Sequence, residues 1–405
     1  MKPIVRAGRM KPVHSDIRGP LFVEAMKRQK QGIDILKLNT GNPATFGFGL
    51  PDSIKNALME HMQDGVGYCD FKGMPQARQA ICDYETSKGI KGITPDDVFI
   101  GNGVSEVVSF ALTPLLNDGD EVLVPSPSYS LWGNSVYLED GKPVFYTCDE
   151  QANWYPDIQD IRSKITDKTK AIVIINPNNP TGVLYPKELL LEIIQIAREF
   201  GLLIFADEIY DRLVMDGKQH ISLASLTEDV PVITLNGLSK SHCLCGYRCG
   251  WMVISGPREL TEDYRQGIIQ LTSLRLCANT MAQIVIPAAL DDMNTPASMV
   301  RPGGRIYEQR EATVRELEKI NGLSFVKNDA AFYVFPKLDV KKFNITNDKQ
   351  FAHDLLDVTN ILLVPGSGFD WKDPDHFRIV MLPQADILSD AIRRMGTFLD
   401  GYKQK

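Results

Sequence analysis

Lys170-Ala-Ile-Val-Ile-Ile-Asn-Pro-Asn-Asn-Pro-Thr-Gly182 is the stretch that decides the fold. Its first half is a near-continuous apolar run rich in β-branched residues, the pattern of a strand covered on both faces. Its second half holds two Asn-Pro pairs, and proline biases the residue before it toward extended backbone. The chain therefore leaves this strand as a rigid, extended loop. Helical spacing follows from Lys187 to Phe200, then a second buried strand, Leu202-Leu-Ile-Phe205, which runs into Ala206-Asp-Glu208. A third apolar run, Val232-Ile-Thr-Leu235, leads to Asn236-Gly-Leu-Ser-Lys240. Upstream, the strand Val98–Ile100 passes through the glycine loop Gly101–Ser105 into an apolar helix, Glu106–Leu116, and the strand Glu121–Val124 ends in Pro125-Ser-Pro-Ser-Tyr129. Alternating strands and helices predict an α/β fold with a mostly parallel sheet between helical layers. Sites on such sheets gather at the carboxyl ends of strands, where Tyr129, Asn179, Asp207 and Lys240 fall.

Residues 258–290 read as largely helical, and Pro302-Gly-Gly304 precedes a long amphipathic helix, Arg305–Ile320. A smaller unit follows, with strands Ala331–Phe335, Ile361–Val364 and Phe377–Met381 and helices Lys349–Val358 and Asp386–Leu399. The expected division is an arm and small-domain segment over 1–50, a large domain over 51–295 and a small domain over 296–405.

At 405 residues, with 43% hydrophobic and 23% charged residues, the chain has the composition of a soluble globular protein of two or three domains. A net charge of −7 gives no footprint for nucleic acid or an anionic membrane. No run of about 18 apolar residues is present, and the basic N-terminal stretch lacks the apolar core of a signal peptide. Seven cysteines, an odd number without framework spacing, suggest reduced thiols and a cytoplasmic protein. Cys243, Cys245 and Cys249 lack the second pair that a metal site would need, and they read as small apolar filler.

Several polar residues stand out against these apolar runs. A lysine at a strand end becomes a nucleophile when burial or a nearby cation lowers its pKa, and Lys240 is placed for that. An ionised Asp207 after so apolar a strand needs a partner, since an unpaired buried carboxylate costs several kcal/mol. The Gly101–Ser105 loop aims backbone N–H groups and a helix N-terminus at one spot, which suits a phosphate. Arg248 and Arg378 offer planar forks for anions. Asp52 reads as the N-cap of a helix over 52–62.

Taken together, Asn236–Lys240 with Gly246-Tyr-Arg-Cys-Gly-Trp251, Asn176–Gly182, Ala206-Asp-Glu-Ile-Tyr210 and Phe377-Arg-Ile379 resemble the fold-type-I pyridoxal-phosphate aminotransferases over nearly the whole chain. Among these, the bacterial glutamate–pyruvate (alanine) aminotransferases are the most similar. The resemblance implies an aspartate aminotransferase-like fold with a seven-stranded type of sheet, the small domain being completed by the N-terminal arm. It implies that Lys240 carries pyridoxal 5′-phosphate as a Schiff base and that Asp207 pairs with the ring nitrogen. It places Asn179 and Tyr210 at the ring's 3-oxygen and Tyr129 on the ring face. Val104, Ser105, Ser239 and Arg248 would hold the phosphate, together with Tyr68 of the partner subunit in a homodimer. Arg378, helped by the backbone near Gly41, would clamp the substrate α-carboxylate, and Arg18 is a candidate for glutamate's distal carboxylate. The family usually has serine or threonine three residues before the lysine; here that position is Gly237. The implied reaction is ping-pong transamination between L-alanine and 2-oxoglutarate. The alternatives are an aromatic or broad-specificity aminotransferase, a cysteine-type β-lyase, or a transcription regulator, which would need a DNA-binding domain ahead of Leu36.

Overall fold

An eight-stranded sheet forms the centre of the computed structural model, which describes residues 2–405. From edge to edge the strands are Val98–Asn102, Cys249–Ser255, Val232–Gly237, Leu203–Asp207, Thr169–Ile175, Glu121–Ser126, Lys142–Asp149 and the two-residue Tyr155–Pro156. The five strands from Val232–Gly237 to Lys142–Asp149 run parallel. Cys249–Ser255 is antiparallel to both its neighbours, and Tyr155–Pro156 pairs antiparallel at the far edge.

The continuous apolar runs are explained by cover on both faces. Ile172 and Ile174 pack with Leu190, Ile193 and Ile194 of the helix Lys187–Phe200. Val173 and Ile175 point the other way, into a cluster with Val107, Val108 and Ala111 of the helix Val104–Leu112. Each such side chain contributes roughly 1.5–3 kcal/mol of burial, so both faces must be apolar. Gly201 ends the Lys187–Phe200 helix in the left-handed conformation, with φ of 66°, where glycine has no Cβ penalty.

The C-terminal unit has its own core of Leu317, Phe351, Leu355, Phe377, Ile379, Leu388 and Ile392, which also takes in Leu38. Leu36–Lys37 pairs parallel with Ile361–Leu362, so the N-terminal segment is part of this unit, as expected. Phe377–Val380 lies between Tyr333–Val334 and Val364–Pro365.

Three expectations shift. The helix after the glycine loop starts at Val104, not Glu106, because Gly103 at φ 86° turns the backbone early. It stops at Leu112, two residues before Pro114. The 258–290 region breaks after Arg275, where Leu276 takes φ 76°. Asp52 is the first helical residue and makes no capping hydrogen bond; Pro51 holds the N-cap position.

Behind Asp207 sits a buried ionic cluster. The Lys88 ammonium lies 2.7 Å from Glu85, 2.8 Å from Glu208 and 3.2 Å from Asp211. Asp211 also accepts from the Tyr84 hydroxyl at 2.6 Å and from Asn236 Nδ2 at 2.7 Å. Glu208, Asp211 and His220 stand close enough to hold an ion, but Lys88 already occupies two of those carboxylates. Removing the one amine leaves buried charge uncompensated. Lys88→Met is therefore expected to cost about 3–5 kcal/mol of folding stability, read as a large drop in melting temperature. An unchanged melt would mean that the cluster does not stabilise the fold.

Candidate active site

The parallel strands deliver their polar residues to one rim. Val232–Gly237 ends in a single helical turn, Leu238–Ser241, which carries Lys240. Lys240 Nζ donates to the Gly41 carbonyl at 2.9 Å and lies 4.0 Å from Cys245 Sγ. Any side chain at Gly41 would collide with Tyr333, whose hydroxyl is 2.3 Å from where a Cβ would stand. The expected lowering of the Lys240 pKa is not what the protein alone produces. Burial pulls it down, but Tyr333, Cys245 and Tyr129 outweigh burial, and the net direction is up. In this state the amine is a hydrogen-bonded ammonium, and it needs a reacting partner to release its proton.

Asp207 ends the Leu203–Asp207 strand, fully enclosed. Trp132 Nε1 donates to its Oδ2 at 3.0 Å and the Ile209 N–H to its Oδ1 at 3.4 Å. Among the described residues no lysine, arginine or histidine pairs with it. Burial pushes its carboxyl up to about 6. This carboxylate is set to meet a cation that the chain does not itself provide.

The glycine loop and Arg248 come together. Arg248 donates to Ser105 Oγ at 3.1 Å and to the carbonyls of Cys245 at 3.0 Å and Asn102 at 3.4 Å. A Cβ on Gly103 would lie 2.2 Å from the guanidinium, so only glycine lets the fork reach the N-terminus of the Val104–Leu112 helix. A cation, a hydroxyl and free helix N–H groups at one place make an anion cradle. Ser239 lies partly exposed beside Lys240, and its carbonyl accepts from Cys245 Sγ at 3.0 Å.

Arg378 is the decisive side chain. It is 1% exposed and has no carboxylate partner among the described residues. It donates to Asn179 Oδ1 at 2.9 Å and to the Asn39 carbonyl, and its Nε has no partner among the described residues. The guanidinium lies 4.6 Å from the ring centres of both Tyr333 and Phe369. Burial holds its pKa below the usual arginine value. Tyr210, also buried, meets Tyr333 hydroxyl to hydroxyl at 2.9 Å. Tyr129 is partly exposed at the same rim and is felt electrostatically by both Lys240 and Arg378.

Lys240, Gly41, Asn179, Tyr210, Tyr129 and Arg378 are thus linked in one site, with Asp207 on the neighbouring strand and Arg248, Val104 and Ser105 forming the cradle. Two expected residues are not bound into it within the single chain. Tyr68 stands 83% exposed and makes no hydrogen bond to these groups. Arg18 is exposed and makes no ion pair among the described residues, although the carbonyl of its neighbour Ile17 accepts from Asn39 Nδ2 at 2.8 Å. Sequence reasoning missed Tyr333, Trp132 and the Asn39 carbonyl. An aromatic residue within an apolar strand or helix carries no sequence mark of its polar end, and a backbone carbonyl carries none at all.

The chain matches the family "Aminotransferase class I and II" over residues 33–392. It is 50% identical to the glutamate-pyruvate aminotransferase AlaA of Haemophilus influenzae, each covered over its full length. An Escherichia coli aminotransferase crystal structure superposes with a TM-score of 0.98 at 47% identity, covering all of both chains. An alanine aminotransferase from Pyrococcus furiosus gives 0.93 at 41%, covering 98% of this chain and 100% of its own. With the Lys240 amine and the Asp207 carboxylate on the rim of one mostly parallel sheet, and the Arg378 fork reaching Asn179 at that rim from the C-terminal unit, this chain belongs to the class I and II aminotransferases, enzymes that work with pyridoxal phosphate.

Proposed function

We propose that the protein moves an amino group between L-alanine and 2-oxoglutarate, giving pyruvate and L-glutamate, with pyridoxal 5′-phosphate as cofactor. The observation that carries the reading is Arg378: a guanidinium enclosed by protein, without a carboxylate, and with an unpartnered Nε. A buried charge of that kind is costly unless a ligand neutralises it, and every amino and 2-oxo acid substrate brings a carboxylate. The names of the Haemophilus and Pyrococcus relatives support alanine as a substrate.

The residues fit the cofactor on three counts: a buried carboxylate awaiting a cation, a helix-end cradle for a phosphate and a lysine between them. When bound, pyridoxal phosphate supplies an aldehyde that takes up amines and a ring that draws electrons from the substrate Cα. Lys240 would hold the cofactor through its aldehyde, and its amine would serve as general base and acid for the proton at the substrate Cα. Asp207 would pair, ionised, with the ring nitrogen. Asn179 and Tyr210 would hydrogen-bond the 3-oxygen, and Tyr129 would pack against the ring. Arg248, Ser105, Val104 and Ser239 would hold the phosphate, joined by Tyr68 of the partner subunit in a homodimer. Arg378, Asn179 and the Gly41 backbone would orient the α-carboxylate, and Arg18 would receive the distal carboxylate of glutamate. The domain limits 1–50, 51–295 and 296–405 and a cytoplasmic location complete the reading. No single helix among the described residues is long and apolar enough to cross a membrane.

A panel of amino donors against 2-oxoglutarate tests the substrate. Alanine is expected among the best donors, with glutamate formed in equal amount to pyruvate. Preference for aromatic donors, or pyruvate released with ammonia and no acceptor, would refute it.

Asp207 gives a pH prediction. In the cofactor-free protein its folded pKa of about 6 exceeds the unstructured value of 3.8. The folded state then holds the proton more tightly, so stability falls as pH rises from about 4 through 6, by up to about 3 kcal/mol for this group. A bound ring cation removes that loss. The rise in melting temperature on loading should therefore be larger near pH 8 than near pH 5, and Asp207→Asn should flatten the difference. Equal gains in the wild type at both pH values would contradict it.

A further inference from the structure

From the sequence, Tyr333 is only one residue of an expected apolar strand. In the structure it is buried and touches three parts of the site. Its hydroxyl lies 2.9 Å from that of Tyr210. Its ring faces the Arg378 guanidinium at 4.6 Å. Its hydroxyl also fills the space that a Gly41 side chain would need, and the Gly41 carbonyl is the acceptor for Lys240. Strand pairing fixes the arrangement, with Tyr333 opposite Val380 and Val334 opposite Ile379, beside Arg378.

We propose that Tyr333 is a positioning residue that makes the Tyr210 proton respond to the state of the Arg378 clamp. The inference rests on the role given above to Tyr210 at the 3-oxygen of the cofactor. A phenol carries one proton. Once Tyr210 donates to that oxygen, its own oxygen can only accept, so Tyr333 donates to Tyr210. A donor that is itself hydrogen-bonded at its oxygen is a stronger donor. The cation stacked on the Tyr333 ring strengthens the same hydroxyl further, and a carboxylate bound at Arg378 offsets that cation. Filling the clamp therefore weakens the Tyr210 bond and raises the pH at which the absorbance band of the loaded protein titrates.

The test is a pH titration of that band in wild type, Tyr333→Phe, Tyr210→Phe and the double variant. Each is measured with and without propionate, a carboxylate that lacks the amine. Phenylalanine keeps the ring against Arg378, so packing is retained. Tyr333→Phe is expected to titrate about half to one pH unit above wild type and to respond less to propionate. In the Tyr210→Phe background it should add nothing. Gly41→Ala, which displaces the same hydroxyl, should move the band in the same direction and provides a second route if the first variant folds poorly. If Tyr210→Phe moves the band while Tyr333→Phe titrates and responds like wild type, the inference is wrong and the Tyr210 assignment stands. If Tyr210→Phe leaves the band where it was, the Tyr210 assignment fails and the inference falls with it. A Tyr333→Phe shift that persists unchanged without the Tyr210 hydroxyl also overturns the proposed route.

Discussion

Lys240→Ala is expected to lower alanine–2-oxoglutarate turnover by roughly four orders of magnitude or more, while leaving the fold nearly intact. Two functions leave with one amine: the tether for the aldehyde and the base that moves the Cα proton. Little structural support leaves with it. Lys240 forms no ion pair with a carboxylate among the described residues, and its one close hydrogen bond is to the Gly41 carbonyl at 2.9 Å, with Cys245 Sγ 4.0 Å away. Losing such a bond costs on the order of 1 kcal/mol, so the melt should shift by only a few degrees. Single-turnover measurement of the alanine half-reaction reads the chemistry separately from folding. A variant within tenfold of wild type would mean that another group carries the proton.

The second large effect belongs to Arg378→Lys. The guanidinium works as a plane: one nitrogen donates to Asn179, another to the Asn39 carbonyl, and its face lies against Tyr333 and Phe369. An ammonium keeps the charge but loses the fork and the stacking. Misplacing one partner of a desolvated charge pair typically costs 2–5 kcal/mol, so kcat/KM for alanine should fall by about 30- to 5,000-fold. Most of the loss is expected in KM for both the amino acid and the oxo acid, since each presents its carboxylate to the same place. Steady-state kinetics for both substrates checks this. A KM for either within about threefold of wild type would remove Arg378 from the clamp.

Most of the fold was legible because the apolar runs are long and unambiguous. Lys170–Ile175 and Val232–Leu235 lie at the centre of the sheet, and the helix Lys187–Phe200 has the bounds its periodicity implies. Boundaries set by single dihedrals were not legible: Gly103 starts a helix early, and Leu276 breaks another, through positive φ values that no local pattern announces. In the site, a charged residue at the end of an apolar strand stands out, which is why Lys240 and Asp207 could be singled out directly, whereas Arg378, inside the strand Phe377–Val380, stood out only through the family resemblance. Trp132 and Tyr333 could not. Their polar ends meet Asp207 and Tyr210 across 75 and 123 residues of chain, and only the finished fold brings them together. Lys88 was hidden for the opposite reason. With Glu85 three residues before it, it resembles an ordinary surface pair on a helix, yet the fold closes over it with Glu208 and Asp211. The Lys240 environment was misjudged because burial is only one influence there, and the phenols and thiol that oppose it come from distant segments.

Borohydride reduction of the protein loaded with pyridoxal phosphate, followed by peptide mapping, tests the central claim most directly. The account predicts that the near-ultraviolet to violet band disappears on reduction and that the added pyridoxyl mass lies on the peptide containing Lys240, at that residue alone. A band that borohydride leaves untouched, or the label on a different lysine with Lys240 unmodified, would contradict it.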